Sequence, residues 1–275
     1  MGVLLSIYWD VNPVIFRTGT FEVFGWPLGP LALRWYGLLF ALGFLIGFYI
    51  VRYMFLRERR PESDLEVLLF YLLGGTIIGA RLGHVFFYHP GYYLAHPTEI
   101  PAFWEGGLAS HGGLLGILVA LGLYAWSRPR QPYLWLLDRV AVPTALVGSF
   151  IRLGNLFNAE ILGTPSDLPW AFVFARVDTL PRHPAQLYES LAYLLVFGLL
   201  LIIYRRYGAS TPRGLLSGLF LMLVFSARFL IEYVKVEQAA FAGALPLQMG
   251  QLLSLPAIVA GGWLLARSRR SYERS

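Results

Sequence analysis

The sequence predicts an all-α, polytopic membrane protein with seven transmembrane helices, an outer N-terminus, a cytoplasmic C-terminus, an interfacial arm on the outer surface and small outer loops. Three observations carry this expectation. Of 275 residues, 57% are hydrophobic and only 14% charged, and the mean hydropathy is +0.59, too apolar for an ordinary soluble domain. Seven apolar runs each approach the ~20 residues needed to cross a hydrocarbon core of about 30 Å. Basic residues cluster in alternate breaks between those runs, which is how membrane orientation is encoded.

The runs cover approximately 34 to 56, 65 to 88, 107 to 127, 136 to 158, 186 to 204, 214 to 234 and 247 to 266. Arg57, Arg59 and Arg60 follow the first, Arg128 and Arg130 the third, Arg205, Arg206 and Arg213 the fifth, and Arg267, Arg269, Arg270 and Arg274 the last. The intervening breaks are poorer in basic residues, so the positive-inside rule places the C-terminus in the cytoplasm and, with seven spans, the N-terminus outside. Residues 1 to 33 do not form a span. Tyr8, Trp9, Phe16, Phe21, Phe24 and Trp26, interrupted by Asn12, Pro13, Pro27 and Pro30, predict an arm at headgroup level. The aromatic loop from Pro90 to Gly106 belongs at the same depth. The chain therefore divides into an arm (1 to 33), a bundle (34 to 266) and a cytoplasmic tail (267 to 275) within a single integral membrane domain. Neither an internal repeat nor paired broken helices in matching halves is evident, which weighs against a secondary transporter.

The net charge of +6 and pI near 9.6 do not indicate nucleic acid, because the basic residues sit in short clusters between apolar runs. Cysteine is absent, so disulfides, thiolate metal sites and a cysteine nucleophile belonging to the protein are excluded. Any sulfur chemistry must involve a substrate thiol. No metal cluster is evident in the spacing, and no cofactor is expected. The N-terminus lacks the pattern of a cleavable signal peptide, so insertion is expected from the spans themselves.

The stretch Gly148 to Gly163 needs a chemical reason, since it ends an apolar run yet carries Arg152, Asn155, Asn158 and Glu160. At about 100° per residue, Gly148, Arg152, Asn155 and Ala159 share one side of a helix, a notch beside a cation and an amide. A charge at mid-bilayer costs at least about 2.5 kcal/mol, which makes such residues functional candidates. The alternative is an internal pairing of Arg152 with Glu160. In the second run, Arg81, His84 and Tyr88 form one stripe, either a second cation beside an anion site or an interfacial anchor. Trp104 to Gly113 sets His111 among four glycines, permitting close backbone approach to a ligand. Its ordinary pKa of about 6.5 suits removal of a proton from a thiol of about 8.5. In the sixth run Arg228 and Glu232 are spaced i, i+4, compatible with an internal pair or with Arg228 as the second half of a phosphate clamp. Arg182, His183, Gln186 and Glu189 precede or begin the fifth run, and Tyr36 at the head of the first offers a phenol to a ligand. Buried arginines, amides and a glycine-flanked histidine near the outer leaflet point to a phospholipid headgroup, without naming a reaction.

Seven blocks resemble those of bacterial prolipoprotein diacylglyceryl transferases. They are L-R-W-Y-G (33 to 37), G-A-R-L-G-H-V-F-F-Y (79 to 88), W-E-G-G-L-A-S-H-G-G-L-L-G (104 to 116), I-R-L-G-N-L-F-N-A-E-I-L-G (151 to 163), R-H-P-A-Q-L-Y-E (182 to 189), R-F-L-I-E-Y (228 to 233) and M-G-Q-L-L-S-L-P (249 to 256). The fourth is the family's signature. The resemblance implies seven transmembrane helices in the bacterial cytoplasmic membrane. The implied reaction moves the diacylglyceryl group of phosphatidylglycerol to the lipobox cysteine of a preprolipoprotein, forms a thioether and releases glycerol 1-phosphate. It further implies that Arg152 binds the lipid phosphate, that Arg228 is a second essential arginine, that His111 is the proposed base and that Tyr36 is essential. Asn155, Glu160 and Gly163 fall on the signature's polar and glycine positions. Three departures stand out: Ile151 and Ala159 replace glycines, and Val234 to Gln238 lacks the usual arginine-then-proline-acid ending. The competing functions are a phospholipid or anion transporter using the same arginines as a transit site, and a structural scaffold whose charges pair internally.

Overall fold

The structure is a computed structural model that describes residues 6–23, 26–237 and 247–272. Phe24 of the arm, Gln238 and Arg274 of the tail lie outside the described residues. Among the described residues there are seven long helices: α1 (Trp35–Arg57), α2 (Glu62–Phe87), α4 (Ser110–Ser127), α5 (Tyr133–Asn158), α6 (Ala185–Tyr207), α7 (Leu215–Glu232) and α8 (Met249–Tyr272). Each is long and apolar enough to cross a membrane. Large apolar side chains point outward from all of them but α5, Phe70 being 76% and Leu195 74% exposed, as expected of helices whose solvent is lipid. The short helix α3 (Pro90–Ala95) lies in the aromatic loop.

Helix starts differ from the expected ones where the backbone forbids continuation. The third span begins at Ser110 rather than 107 because Gly106 and Gly107 adopt φ of 94° and 66°, a region closed to a right-handed helix. The last helix runs beyond 266 into the expected tail.

The all-α expectation needs correction, because among the described residues seven short strands accompany the helices. The arm holds β1 (Ile7–Trp9), β2 (Val14–Arg17), β3 (Phe21–Val23), β4 (Trp26–Leu28) and β5 (Ala32–Arg34), while β6 (Phe172–Phe174) and β7 (Pro181–Arg182) precede α6. Strand β1 runs parallel to β6, which pairs antiparallel with β7; β2 pairs with β5 and β3 with β4. Strands of two to four residues are too short to display a period of two, and β1 finds its partner far along the chain.

The chain folds as two compact units, residues 1–50 with 141–275, and residues 51–140. In the first, the β1–β6–β7 sheet grips the end of α5. Leu156, Phe172 and Phe174 form a buried cluster against Trp9 and Leu162, and Trp9 Nε1 donates to the Leu156 carbonyl at 3.1 Å. Helix α5 then ends in a Schellman turn, in which Glu160 N–H donates to Asn155 O (2.9 Å) and Ala159 N–H to Leu156 O (3.1 Å). The turn sets Ala159 at φ 55°, where glycine is ordinarily preferred.

In the second unit α2 and α4 meet along glycine backbone. A Cβ on Gly79 or Gly83 would strike Gly112, and one on Gly75 would strike Gly116, a small-residue seam of the kind that lets membrane helices approach closely. Arg139, fully buried, pairs with Glu58 at 2.9 Å, and Trp135 Nε1 donates to the same carboxylate at 2.7 Å.

Both the buried pair and the strained turn can be tested through stability. Glu58→Ala takes the nearer carboxylate from a buried guanidinium, leaving Asp138 at 3.9 Å, and should cost about 3 to 5 kcal/mol, read as a lower midpoint of unfolding in detergent; an unchanged midpoint contradicts it. Ala159→Gly relieves the left-handed backbone and should raise stability by roughly 1 kcal/mol, and a lower midpoint would show that the turn carries no strain.

Candidate active site

The end of α5, the start of α6 and the end of α7 bring most of the expected site residues together within the first unit. The Schellman turn folds the Glu160 side chain back over the helix end. Its carboxylate accepts from Asn155 Nδ2 at 2.9 Å and Asn158 Nδ2 at 3.1 Å. Asn155 is thereby oriented so that its Oδ1 accepts from Arg152 Nη1 at 3.2 Å. Gln186 Nε2 donates to the Glu160 carbonyl at 2.6 Å, tying the turn to α6. Tyr36 lies against the same face, its ring so close to Gly154 that a Cβ there would come within 2.6 Å.

Arg152 does not take Glu160 as its ion-pair partner. Its Nε lies 3.1 Å from Glu189 Oε2, a carboxylate with a fully buried side chain on α6. That oxygen is at ion-pairing distance without hydrogen-bond alignment. The Tyr193 hydroxyl donates to Glu189 Oε1 at 3.4 Å and interacts electrostatically with both Arg152 and Arg228.

Arg228 and Glu232 do not pair as the i, i+4 spacing allows. Glu232 Oε2 is taken by Lys235 Nζ at 2.8 Å, and its carboxylate abuts Gly250, where a Cβ would overlap it. Gly250 is the second residue of α8, so the carboxylate sits at the electropositive end of that helix. Among the described residues, no carboxylate forms an ion pair with Arg228.

Gly163 serves a backbone crossing. It forms an antiparallel bridge with Lys235, its carbonyl accepts from Arg182 Nη1 at 3.2 Å, and any Cβ would collide with the His183 carbonyl. Arg182 also pairs with Asp178, and its guanidinium holds that carboxyl below the usual aspartate range.

Arg81 and His111 belong to the second unit. Arg81 is 5% exposed and donates to the carbonyls of Ile100 (2.8 Å), Gly106 (2.8 Å) and Glu99 (2.7 Å), with Tyr93 beneath it at 5.0 Å. Its donors organise the loop leading to α4. His111, exposed on the first turn of α4, lies against Phe87 (5.3 Å between centroids) and Tyr88 (5.9 Å, stacked). Gly112 beside it packs on α2 instead of opening toward a ligand.

Glu189 and Lys235 are the participants that sequence reasoning underweights. In the sequence Glu189 stands only as one of four polar residues that precede or begin the fifth run, and Lys235 only as part of the departure from Val234 to Gln238. An uncapped acid inside an apolar helix, about 37 residues from a buried arginine, is the available signal.

Comparison with known proteins places the chain in a family. The family model described as "Prolipoprotein diacylglyceryl transferase" matches residues 24–267. A protein of Chloroherpeton thalassium named phosphatidylglycerol--prolipoprotein diacylglyceryl transferase is 53% identical over 262 residues, covering 95% of this chain and 94% of its own. Proteins of the same name from Tolumonas auensis (47% over 268 residues; 98% and 100% covered) and Porphyromonas gingivalis (46% over 277 residues; 95% and 94% covered) are also similar. The chain belongs to the prolipoprotein diacylglyceryl transferase family.

Proposed function

We propose that this chain transfers the diacylglyceryl group of phosphatidylglycerol to the lipobox cysteine of preprolipoproteins, the first step of bacterial lipoprotein maturation, as a multi-pass protein of the bacterial inner membrane. The reading includes an outer N-terminus, a cytoplasmic C-terminus and an arm on the outer surface, in keeping with the basic clusters after the first, third, fifth and seventh spans. The bundle acts as one transferase domain. The observation that carries the site assignment is that Arg152 is fixed by Asn155 and Glu189 where the end of α5 meets α6, while Arg228 on α7 has no carboxylate partner among the described residues.

In this reaction a cysteine sulfur attacks the glycerol carbon that bears the phosphate ester. A C–S bond forms, the C–O bond breaks, and its electron pair leaves on glycerol 1-phosphate. Negative charge therefore grows on the phosphate. Arginines held in a low-dielectric setting stabilise that charge without reorganising at the moment of reaction. Asn155 and Glu189 fix the orientation of Arg152, so its fork is set before lipid arrives. Arg228 supplies the second cation. Glu160, steadied by Asn155 and Asn158, together with Tyr36, offers hydrogen-bonding groups to the glycerol hydroxyls, and Glu232 and Gly163 shape the floor. His111 takes the thiol proton, and Arg81 supports it by holding the preceding loop.

The transporter reading separates cleanly from this one. Purified protein in detergent with phosphatidylglycerol and a lipobox peptide should make a thioether-linked lipid without any gradient, whereas a transporter makes no product. Arg152→Ala should lower turnover at least about a hundredfold, the scale of losing a principal transition-state charge stabiliser; activity within a few fold of the parent would remove Arg152 from the site. His111→Ala should lose at least about tenfold in turnover, and a variant as active as the parent would dismiss the histidine as base.

A further inference from the structure

Lys235 is a buried cation that the chemistry above does not use. Its side chain is 4% exposed, with Nζ 2.8 Å from Glu232 Oε2 and 3.3 Å from Glu189 Oε1. The other oxygen of Glu189 faces Arg152 Nε at 3.1 Å. One carboxylate is therefore divided between the lysine and the arginine expected to meet the headgroup. The lysine is held by main chain: residue 235 bridges Gly163, Thr164 N–H donates to Val234 O at 2.9 Å, and Val236 N–H donates to Leu162 O at 3.0 Å. The signature loop and the end of α7 thus fix where the ammonium sits.

We propose that Lys235 is a positioning residue for anionic lipid, acting through Glu189: by drawing charge from that carboxylate it keeps Arg152 from being fully neutralised. The inference rests on the transferase reading. Charge counting supports it, since Arg152, Arg228 and Lys235 stand against Glu189, Glu232 and Glu160, three cations to three anions. The two amides on Glu160 are neutral and leave its charge in place. Without the lysine two cations face three anions, and Glu189 keeps Arg152 as its one ion-pair partner among the described residues. Its attraction for the guanidinium then competes directly with a phosphate.

Kinetics of the purified protein with phosphatidylglycerol and a lipobox peptide test this. Lys235→Met should raise KM for phosphatidylglycerol about tenfold while the peptide KM stays unchanged, the pattern of lost ground-state binding. Lys235→Arg should stay near the parent. A purely structural role would instead reduce the active fraction, lowering apparent kcat at unchanged KM. Should Lys235→Met fold poorly, Lys235→Met/Glu232→Gln removes the carboxylate left without its lysine. Its KM for phosphatidylglycerol should remain about tenfold above that of Glu232→Gln alone. Equal values in that comparison, or an unchanged KM in the single variant, overturn the inference. If the parent protein makes no thioether product, the transferase reading fails instead.

Discussion

A guanidinium inside an apolar helix must be answered by charge or dipoles, and the pairing of Arg152 with Glu189 meets that requirement. Both groups are costly to bury alone. Their union draws the end of α5 against α6, and Lys235 extends it to the end of α7. The Schellman turn after Asn158 adds Glu160 and its two asparagines to the same assembly. Three helix ends are thus registered by polar contacts.

Function grows from how those charges are shared. A network in which every cation had its own carboxylate would be a structural plug, indifferent to anions. Here one carboxylate is divided between two cations, and Arg228 has no carboxylate partner among the described residues. Such a site leaves a guanidinium to offer a phosphate while every carboxylate in it stays partnered. The strained Ala159 fits the same logic, since backbone strain at a functional turn persists where surrounding contacts hold it.

Much of this is legible in the sequence, for physical reasons. Span positions follow from hydropathy and from the arginine clusters, and the observed helices begin and end within a few residues of expectation, except that α8 runs on to Tyr272; at α4 the delay of the start traces to Gly106 and Gly107. The polar residues of α5 are identifiable because lipid makes them expensive. Their partners are not. Arg152 is as free to meet Glu160, eight residues on, as Glu189 in another helix, and only tertiary packing decides. The i, i+4 spacing of Arg228 and Glu232 suggests a pair that a lysine three residues further along takes over. Strands in the arm are invisible because each is too short to show alternation, and β1 is completed by residues near 172.

The central claim is that two arginines of one site hold the phosphate of an anionic lipid. Equilibrium binding of short-chain phosphatidylglycerol to the purified protein, with Arg152→Met and Arg228→Met alongside, tests it without reliance on turnover. The account predicts that each variant, still folded, weakens binding at least about tenfold, the worth of a charge-assisted contact. Undiminished affinity in both variants would contradict it.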